Sequence, residues 1–420
     1  MQIIQSFIHL GSSAMMPIII FFVSIIFRIP LKLAFKSGMY VGIGFIGINM
    51  VMELLLKQLT PVTKAMINGM GLNLKVIDVG WTTGANIGWN SPIMLTSLIG
   101  FFLINVVLLI LNLTKTVDID IFNFWTLLLL GALTYSATRN YWTAVGVTWV
   151  LFIIALLVGD KTAPRIQKQF HLNGLSFPQI AYLSWIPFGI AINWFVENIP
   201  LLKKIELSPE TISARIGIFG EPVSIGFILG IFLGVMGHYS TEQAFVLAVN
   251  VSGCMVILPR MITILVEGLE ILRSGVSKQL KTWFPAREFF IAMDVSVLIG
   301  DPAVMTTGLL MIPLSLFLSF VLPGNKILPL ADLTSIMFPF TLSAAYMQRN
   351  IFRMMFAGPL IIVAALYLSS YVSPEYTKAF LTSGIRVSAH IDAMSNFIGS
   401  AGTWIGGLLI AIVRLLKRII

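Results

Sequence analysis

Charge is what this chain has least of. Only 11% of its 420 residues are Asp, Glu, Lys or Arg, whereas a soluble domain carries about a quarter. A soluble fold of this length needs more charge than that to cover its surface. There is one cysteine, Cys254, which excludes a disulfide framework and a cysteine metal cluster. Cys254 lies in the apolar run Ala244–Val266 and reads as a small buried apolar residue. The histidines His9, His171, His238 and His390 show no i,i+4 pairing and no Glu three residues away, so they form no metal motif. Walker loop, serine nucleophile elbow and dinucleotide fingerprint are all missing, which argues against ATP-driven pumping and points to no cofactor. Nor does a basic region precede the first apolar run, which reads as a membrane segment and not as a cleaved signal.

What the chain has is apolar sequence: 57% hydrophobic residues and a mean hydropathy of +0.93. The helix satisfies its own backbone hydrogen bonds, so it is the natural unit for crossing a bilayer. The expectation is an all-α, polytopic membrane protein. Clear spans are Ala14–Arg28, Ile93–Leu113, Ile121–Ala137, Thr143–Val158, Ile216–Met236, Ala244–Val266, Ala303–Val321, Met354–Tyr371 and Phe397–Val413. Tyr40–Leu56, Leu183–Val196, Phe289–Ile299 and Thr334–Met347 are weaker, and some of these read as re-entrant or half-helices.

The net charge of +9 does not point to nucleic acid, because the basic residues sit in short loops between apolar runs. Three clusters, Arg28/Lys32/Lys36, Lys161/Arg165/Lys168 and Arg414/Lys417/Arg418, are expected on the cytoplasmic side. That places the N-terminus outside and the C-terminus inside, with an odd number of spans. From Met261 to Trp283 apolar residues recur at steps of three or four, with Glu267, Glu270, Arg273, Lys278 and Lys281 between them. Such a segment is expected to lie at the membrane interface or to pack as a cytoplasmic helix.

The chain also matches itself. Thr138-Arg139-Asn140-Tyr141-Trp142 recurs as Gln348-Arg349-Asn350-Ile351-Phe352, Asp78-Val79 as Asp294-Val295, and Asp120-Ile121 as Asp332-Leu333. Gly88-Trp89-Asn90-Ser91-Pro92 returns one residue shorter as Ile299-Gly300-Asp301-Pro302, and Gly44-Phe45 as Gly226-Phe227. Two similar halves, at residues 38–160 and 216–372, suggest a transporter, and the halves are inverted if an odd number of spans separates the matched elements.

Ionisable residues inside apolar segments cost free energy and need a reason. Asp78 and Asp294 each sit in a short apolar stretch before a Gly- and Pro-punctuated one, the form of a hairpin tip lining a polar cavity. A carboxylate there can accept two hydroxyl hydrogen bonds from a sugar or polyol, or cap a half-helix N-terminus. Trp81 offers an aromatic face, and Thr82-Thr83-Gly84-Ala85-Asn86 follows it with small polar groups, as a sugar-binding loop or a simple turn. Glu221, before Pro222, reads either as a cavity carboxylate or as a helix start, and the glycines 226, 230, 234 and 237 after it let another helix approach closely.

At these residues a family resemblance emerges. Leu72–Trp81, Val117–Trp125, Phe219-Gly220-Glu221-Pro222-Val223 and Val321–Asn325 resemble the IIC component of the galactitol phosphotransferase system, of the ascorbate–galactitol permease superfamily. The likeness runs to about Ser370. It implies a homodimer with core and scaffold domains, and about 11 spans built from inverted repeats. It implies an elevator-type movement that carries a polyol or sugar across the inner membrane. A separate IIB protein, itself served by IIA, then phosphorylates the cargo from a phosphocysteine, so this chain is a translocating subunit and not itself catalytic. The resemblance also suggests a cavity lined near Gly44-Phe45, Trp81-Thr82, Thr138-Arg139, Gln179 and Asp294. Galactitol members carry His-Gly where this chain has Gln179-Ile180, and Gly-His-Thr where it has Gly300-Asp301-Pro302, so another polyol or sugar fits as well as galactitol. The competing reading is a proton-coupled secondary sugar transporter with Asp78, Asp294 or Glu221 carrying the proton.

Overall fold

A computed structural model describes residues 12–70, 76–209, 211, 217–283, 287–329, 331–383 and 393–419. His9, Leu72–Lys75 and His390 lie outside the described residues. The first half of the chain forms α1 (Ser12–Ile26), α2 (Leu31–Met70), β1 (Val76–Asp78), α3 (Gly80–Trp89), α4 (Met94–Ile110), β2 (Thr116–Val117), α5 (Phe124–Thr138), α6 (Tyr141–Phe170), β3 (Leu175–Ser176), α7 (Ile180–Leu183), α8 (Ile186–Glu197) and α9 (Pro200–Lys203). The second forms α10 (Pro222–Met236), α11 (Thr241–Trp283), β4 (Phe290–Ala292), α12 (Ser296–Ile299), α13 (Pro302–Val321), β5 (Ile327–Leu328), α14 (Phe340–Ala344), α15 (Ile351–Thr382), β6 (Met394–Ser395) and α16 (Trp404–Ile419).

Among the described residues, six helices are long and apolar enough to cross a membrane, or seven if α3 and α4, bent by 87° at their junction, make one span. Four shorter apolar helices accompany them. The chain is mostly helical, and among the described residues two small sheets of three very short strands each, both wholly parallel, join its halves. Backbone that leaves a helix at membrane depth must find other partners, and a strand ladder supplies them. Each sheet joins the two halves of the chain. β1, from the first half, pairs with β5 and β6 from the second, while β4, from the second, pairs with β2 and β3 from the first.

The longest helices, α2 and α11, pack against each other in antiparallel fashion. Gly44 lies under Leu265 and Cys254 under the Val51 carbonyl, so position numbers rise on one helix as they fall on the other. A Cβ at Gly44 would come within 2.4 Å of the Leu265 Cβ. Glycine is what allows this approach in lipid, where close packing replaces the hydrophobic effect as the force between helices. α10 packs on α11 in the same way, and a Cβ at Gly230 would come within 2.3 Å of the Ala248 Cα. The amphipathic segment is no separate interfacial helix. It is the second part of the 43-residue α11, with Leu265, Leu269, Leu272 and Val276 buried and Glu267, Glu270 and Lys278 exposed.

The matched Arg-Asn pairs fold alike. Arg139 and Arg349 are left-handed, with φ 58° and 53°. Asn140 and Asn350 then cap α6 and α15, accepting from Thr143 N at 3.0 Å and Arg353 N at 3.4 Å. The two capped helices run in opposite directions. Near the end of α6, Arg165 donates to the carbonyls of Ala345 and Tyr346, just before α15 starts. Before α6 starts, Ser136 donates to the Glu375 carbonyl near the end of α15.

This arrangement also sets where the basic clusters stand. Lys36 of α2 shares a groove with Phe170 and His171, so the Arg28–Lys36 and Lys161–Lys168 clusters stand at one end of the bundle. Arg414 stands at the other end, beside the close of α15. It pairs with Glu375 at 2.6 Å and lies over the Tyr371 ring at 4.2 Å, so its charge is matched locally and does not report which side it faces. Two of the three clusters thus share one end of the bundle, and Arg414 lies at the other.

The directions of α6 and α15 are open to direct test. In a Cys254→Ala background, an impermeant thiol reagent should reach Arg139→Cys from one side of the membrane and Gln348→Cys from the other. Labelling of both from the same side would contradict the described packing.

Candidate functional site

Two chain tips meet inside the bundle. β1 leads into the first, where Asp78 precedes α3, and β4 leads into the second, where Asp294 precedes α12. Each aspartate folds its own turn, accepting from the N–H two residues on: Gly80 at 3.2 Å and Ser296 at 2.8 Å. Gly80 has φ +76°, the left-handed geometry that this tight turn needs and that glycine adopts without strain. This shared local geometry gives a physical account of the repeated Asp-Val sequence.

Beyond the turns the two aspartates differ. Asp78 accepts also from Phe397 N at 3.3 Å and Asp332 N at 2.7 Å, and it does not line the cavity. Asp294 does. Its second oxygen accepts from the Gln179 side-chain amide at 2.9 Å, and Gln179 in turn accepts from Val295 N at 3.4 Å. A carboxylate and an amide are thus joined edge to edge in the wall.

The cavity has a volume of about 120 Å³. α2 forms one side of it with Phe45, Ile48, Asn49 and Met52. The opposite side carries Trp81, Phe122, Trp125, Tyr182, Ile299 and Phe338, with Gln179, Asp294, Ser296 and Ser335 as polar groups. The aromatic rings brace one another. Trp81 and Trp125 stand 6.0 Å apart, Phe45 and Phe122 6.2 Å, and Tyr182 stacks on Phe338 at 5.4 Å. Flat apolar faces beside a few fixed acceptors and donors suit a small ligand with both C–H faces and hydroxyls.

Of the residues singled out in the sequence, Asp294, Gln179, Trp81 and Phe45 come together in this wall. Gly44 adjoins Phe45 but faces Leu265. Thr82 is exposed on α3, and the Thr138 hydroxyl bonds the Thr134 carbonyl within α5. Arg139 is exposed at the α5–α6 turn, and Glu221 is exposed at the start of α10. Sequence reasoning missed Asn49, Tyr182, Ser296, Ser335 and Phe338. These residues carry no charge and stand in or beside ordinary apolar runs, so nothing local distinguishes them. Phe122 and Trp125 lay within a quoted motif without being separated from it.

A helical chain with several bilayer-length apolar helices, and with chain tips enclosing an aromatic and polar cavity between them, has the build of a polytopic membrane protein. Residues 6–392 match the family described as PTS system sugar-specific permease component, of the EIIC-GAT type, and the chain belongs to that family as a multi-pass membrane protein. It is 31% identical over 406 residues to the PTS system galactitol-specific EIIC component of Escherichia coli K12, covering 96% of this chain and 90% of that relative. It is 33% identical over 400 residues to a putative permease IIC component of the same strain, covering 94% and 91%.

Two tryptophans 6.0 Å apart in the wall make occupancy readable. A ligand entering the cavity should change tryptophan emission, and Trp81→Phe or Trp125→Phe should remove much of that change. A signal undiminished in both variants would place the ligand elsewhere.

Proposed function

We propose that this chain binds a polyol or sugar of the galactitol kind in the cavity and translocates it for phosphorylation by a separate IIB protein. The observation that carries this reading is the Asp294–Gln179 pair set among aromatic faces at the meeting of two chain tips. Asp294 is 8% exposed and keeps unused acceptor capacity on both oxygens. The rings then pack the C–H faces that a polyol presents between its hydroxyls.

The proposed movement is elevator-like. The cavity wall divides into one helix, α2, and a body made of the tips and the helices behind them. α2 packs with α11 and α10 in a scaffold held by small-residue contacts, and through that scaffold the proposed homodimer forms. A core that slides along α2 would carry the tips and their ligand from one face to the other. The halves at residues 38–160 and 216–372 act in this scheme as inverted repeats. The seven span candidates together with the four shorter apolar helices are compatible with about 11 spans, some of them partial. The end bearing Arg28, Lys36 and Lys161–Lys168 is proposed to face the cytoplasm, with the N-terminus outside. IIB, supplied by IIA, would meet the cargo there. Gly44, Thr82, Thr138, Arg139, Asp78 and Glu221 act in this scheme outside the first layer of ligand contacts.

Two experiments test the proposal. Uptake by reconstituted chain should require phosphorylated IIB and yield a phosphorylated product. Accumulation of free polyol by the chain alone under an imposed proton gradient would instead favour the secondary transporter. Within the site, a hydrogen bond to a charged group is worth roughly 1.5–3 kcal/mol, so Asp294→Asn should weaken polyol binding about 10- to 100-fold in calorimetry. Unchanged affinity in a folded variant would remove Asp294 from the site.

A further inference from the structure

We infer that Asp120 and Asp332 are positioning residues, each of which holds with its carboxylate the substrate-facing tip contributed by the other half of the chain. Neither lines the cavity, and both are fully buried. They are a matched pair in the sequence, Asp120-Ile121 and Asp332-Leu333, and each stands just before a short 3-10 turn, Ile121–Asn123 and Leu333–Ser335. Asp120, in the first half, accepts from the backbone N–H of Asp294 at 2.9 Å. Asp332, in the second half, accepts from the backbone N–H of Trp81 at 2.6 Å. Asp294 and Trp81 are the residues through which the two tips present a carboxylate and an aromatic face to the cavity.

The chemistry suits holding rather than binding. Among the described residues no ion pair includes Asp120 or Asp332. Both use their two oxygens on backbone donors: Asp120 also accepts from Phe122 N at 3.0 Å, and Asp332 from Ile398 N at 2.9 Å. An N–H that donates to a carboxylate makes a stronger bond than one that donates to a neutral group. The same carboxylate therefore ties its own turn, or the segment that follows β6, to the opposing tip. Asp118 extends the brace by accepting from Asp120 N at 3.3 Å and from the Asn123 side chain at 3.1 Å. On the other side, Asp332 N donates to Asp78, so Asp332 is bonded to the first tip at two points, as donor to Asp78 and as acceptor from Trp81. Misplacing a binding group by about 1 Å is enough to degrade a site, so a slack tip would show in affinity and selectivity before it showed in folding.

This inference rests on the reading of the cavity as the polyol site, and the test separates the two. Asp120→Asn and Asp332→Asn keep shape but turn one acceptor oxygen into an N–H₂ group that faces a donor. In purified full-length protein, hydrogen exchange at the amides of residues 80–82 and 294–296 should quicken more than exchange in the helices away from the tips. Galactitol affinity, measured with mannitol and sorbitol alongside, should fall roughly 10-fold and the ranking of the three should change. Because Asp120 acts through Asp294, the double variant Asp120→Asn/Asp294→Asn should bind no more weakly than Asp294→Asn alone. Should the Asn variants not fold, Asp120→Glu and Asp332→Glu keep the charge one methylene further out and should shift the ranking likewise. Unchanged exchange at both tips, or additive losses in the double variant, would overturn the inference. If Asp294→Asn itself binds normally, the reading of the cavity falls, while the exchange measurement still decides whether the tips are held.

Discussion

Every backbone N–H and C=O in the interior of a membrane protein must be paired within the protein, and this chain breaks its helices there all the same. The tips at Asp78 and Asp294 are possible because their main chains are taken up on all sides. Parallel ladders receive the entering strands, and carboxylates receive the N–H groups at the turns. An unmet donor at this depth costs several kcal/mol. Short strands and buried aspartates are therefore the solution to one problem, and the placing of the cavity follows from it.

The solution also dictates how the halves are joined. Neither half completes its own sheet, since each central strand finds its neighbours in the other half. A tip cannot leave the opposing half without breaking a ladder, so the two halves are interlocked at the tips. Around the tips the contacts change in kind. α2, α10 and α11 meet one another through glycines at backbone distance, without strands or buried aspartate bridges among the contacts at Gly44, Gly230 and Cys254. Polar, interlocked tips thus face a helix whose own packing rests on small residues.

Much of this was legible in the chain. The apolar runs announced a membrane protein because the bilayer demands them. The doubled Asp-Val and Arg-Asn elements were visible as repeats because each encodes a local turn or cap that needs those side chains. Asp294 stood out because a carboxylate in an apolar run has to be explained. Other features were not legible. Asp120 and Asp332 were visible only as a repeated pair with no role attached, since their partners Asp294 and Trp81 lie far along the chain. Tyr182 and Phe338 are indistinguishable in sequence from lipid-facing aromatics. Arg414 looked like a marker of sidedness, and only its contact with Glu375 and Tyr371 shows its charge to be locally matched.

The sequence by itself determined the solvent this chain folds in, the places where its helices must break and the turns made at those breaks. All of these depend on local chemistry: hydropathy over a span, a proline or glycine, a carboxylate two residues before an amide. Only the tertiary structure decided that the first half's strand is completed by the second half's, that Gln179 meets Asp294 while Arg139 and Glu221 remain outside, and that one wall of the cavity is α2. Those outcomes depend on partners brought together from more than a hundred residues away, as Gln179 and Asp294 are, and no local pattern encodes which of many equivalent apolar surfaces will meet.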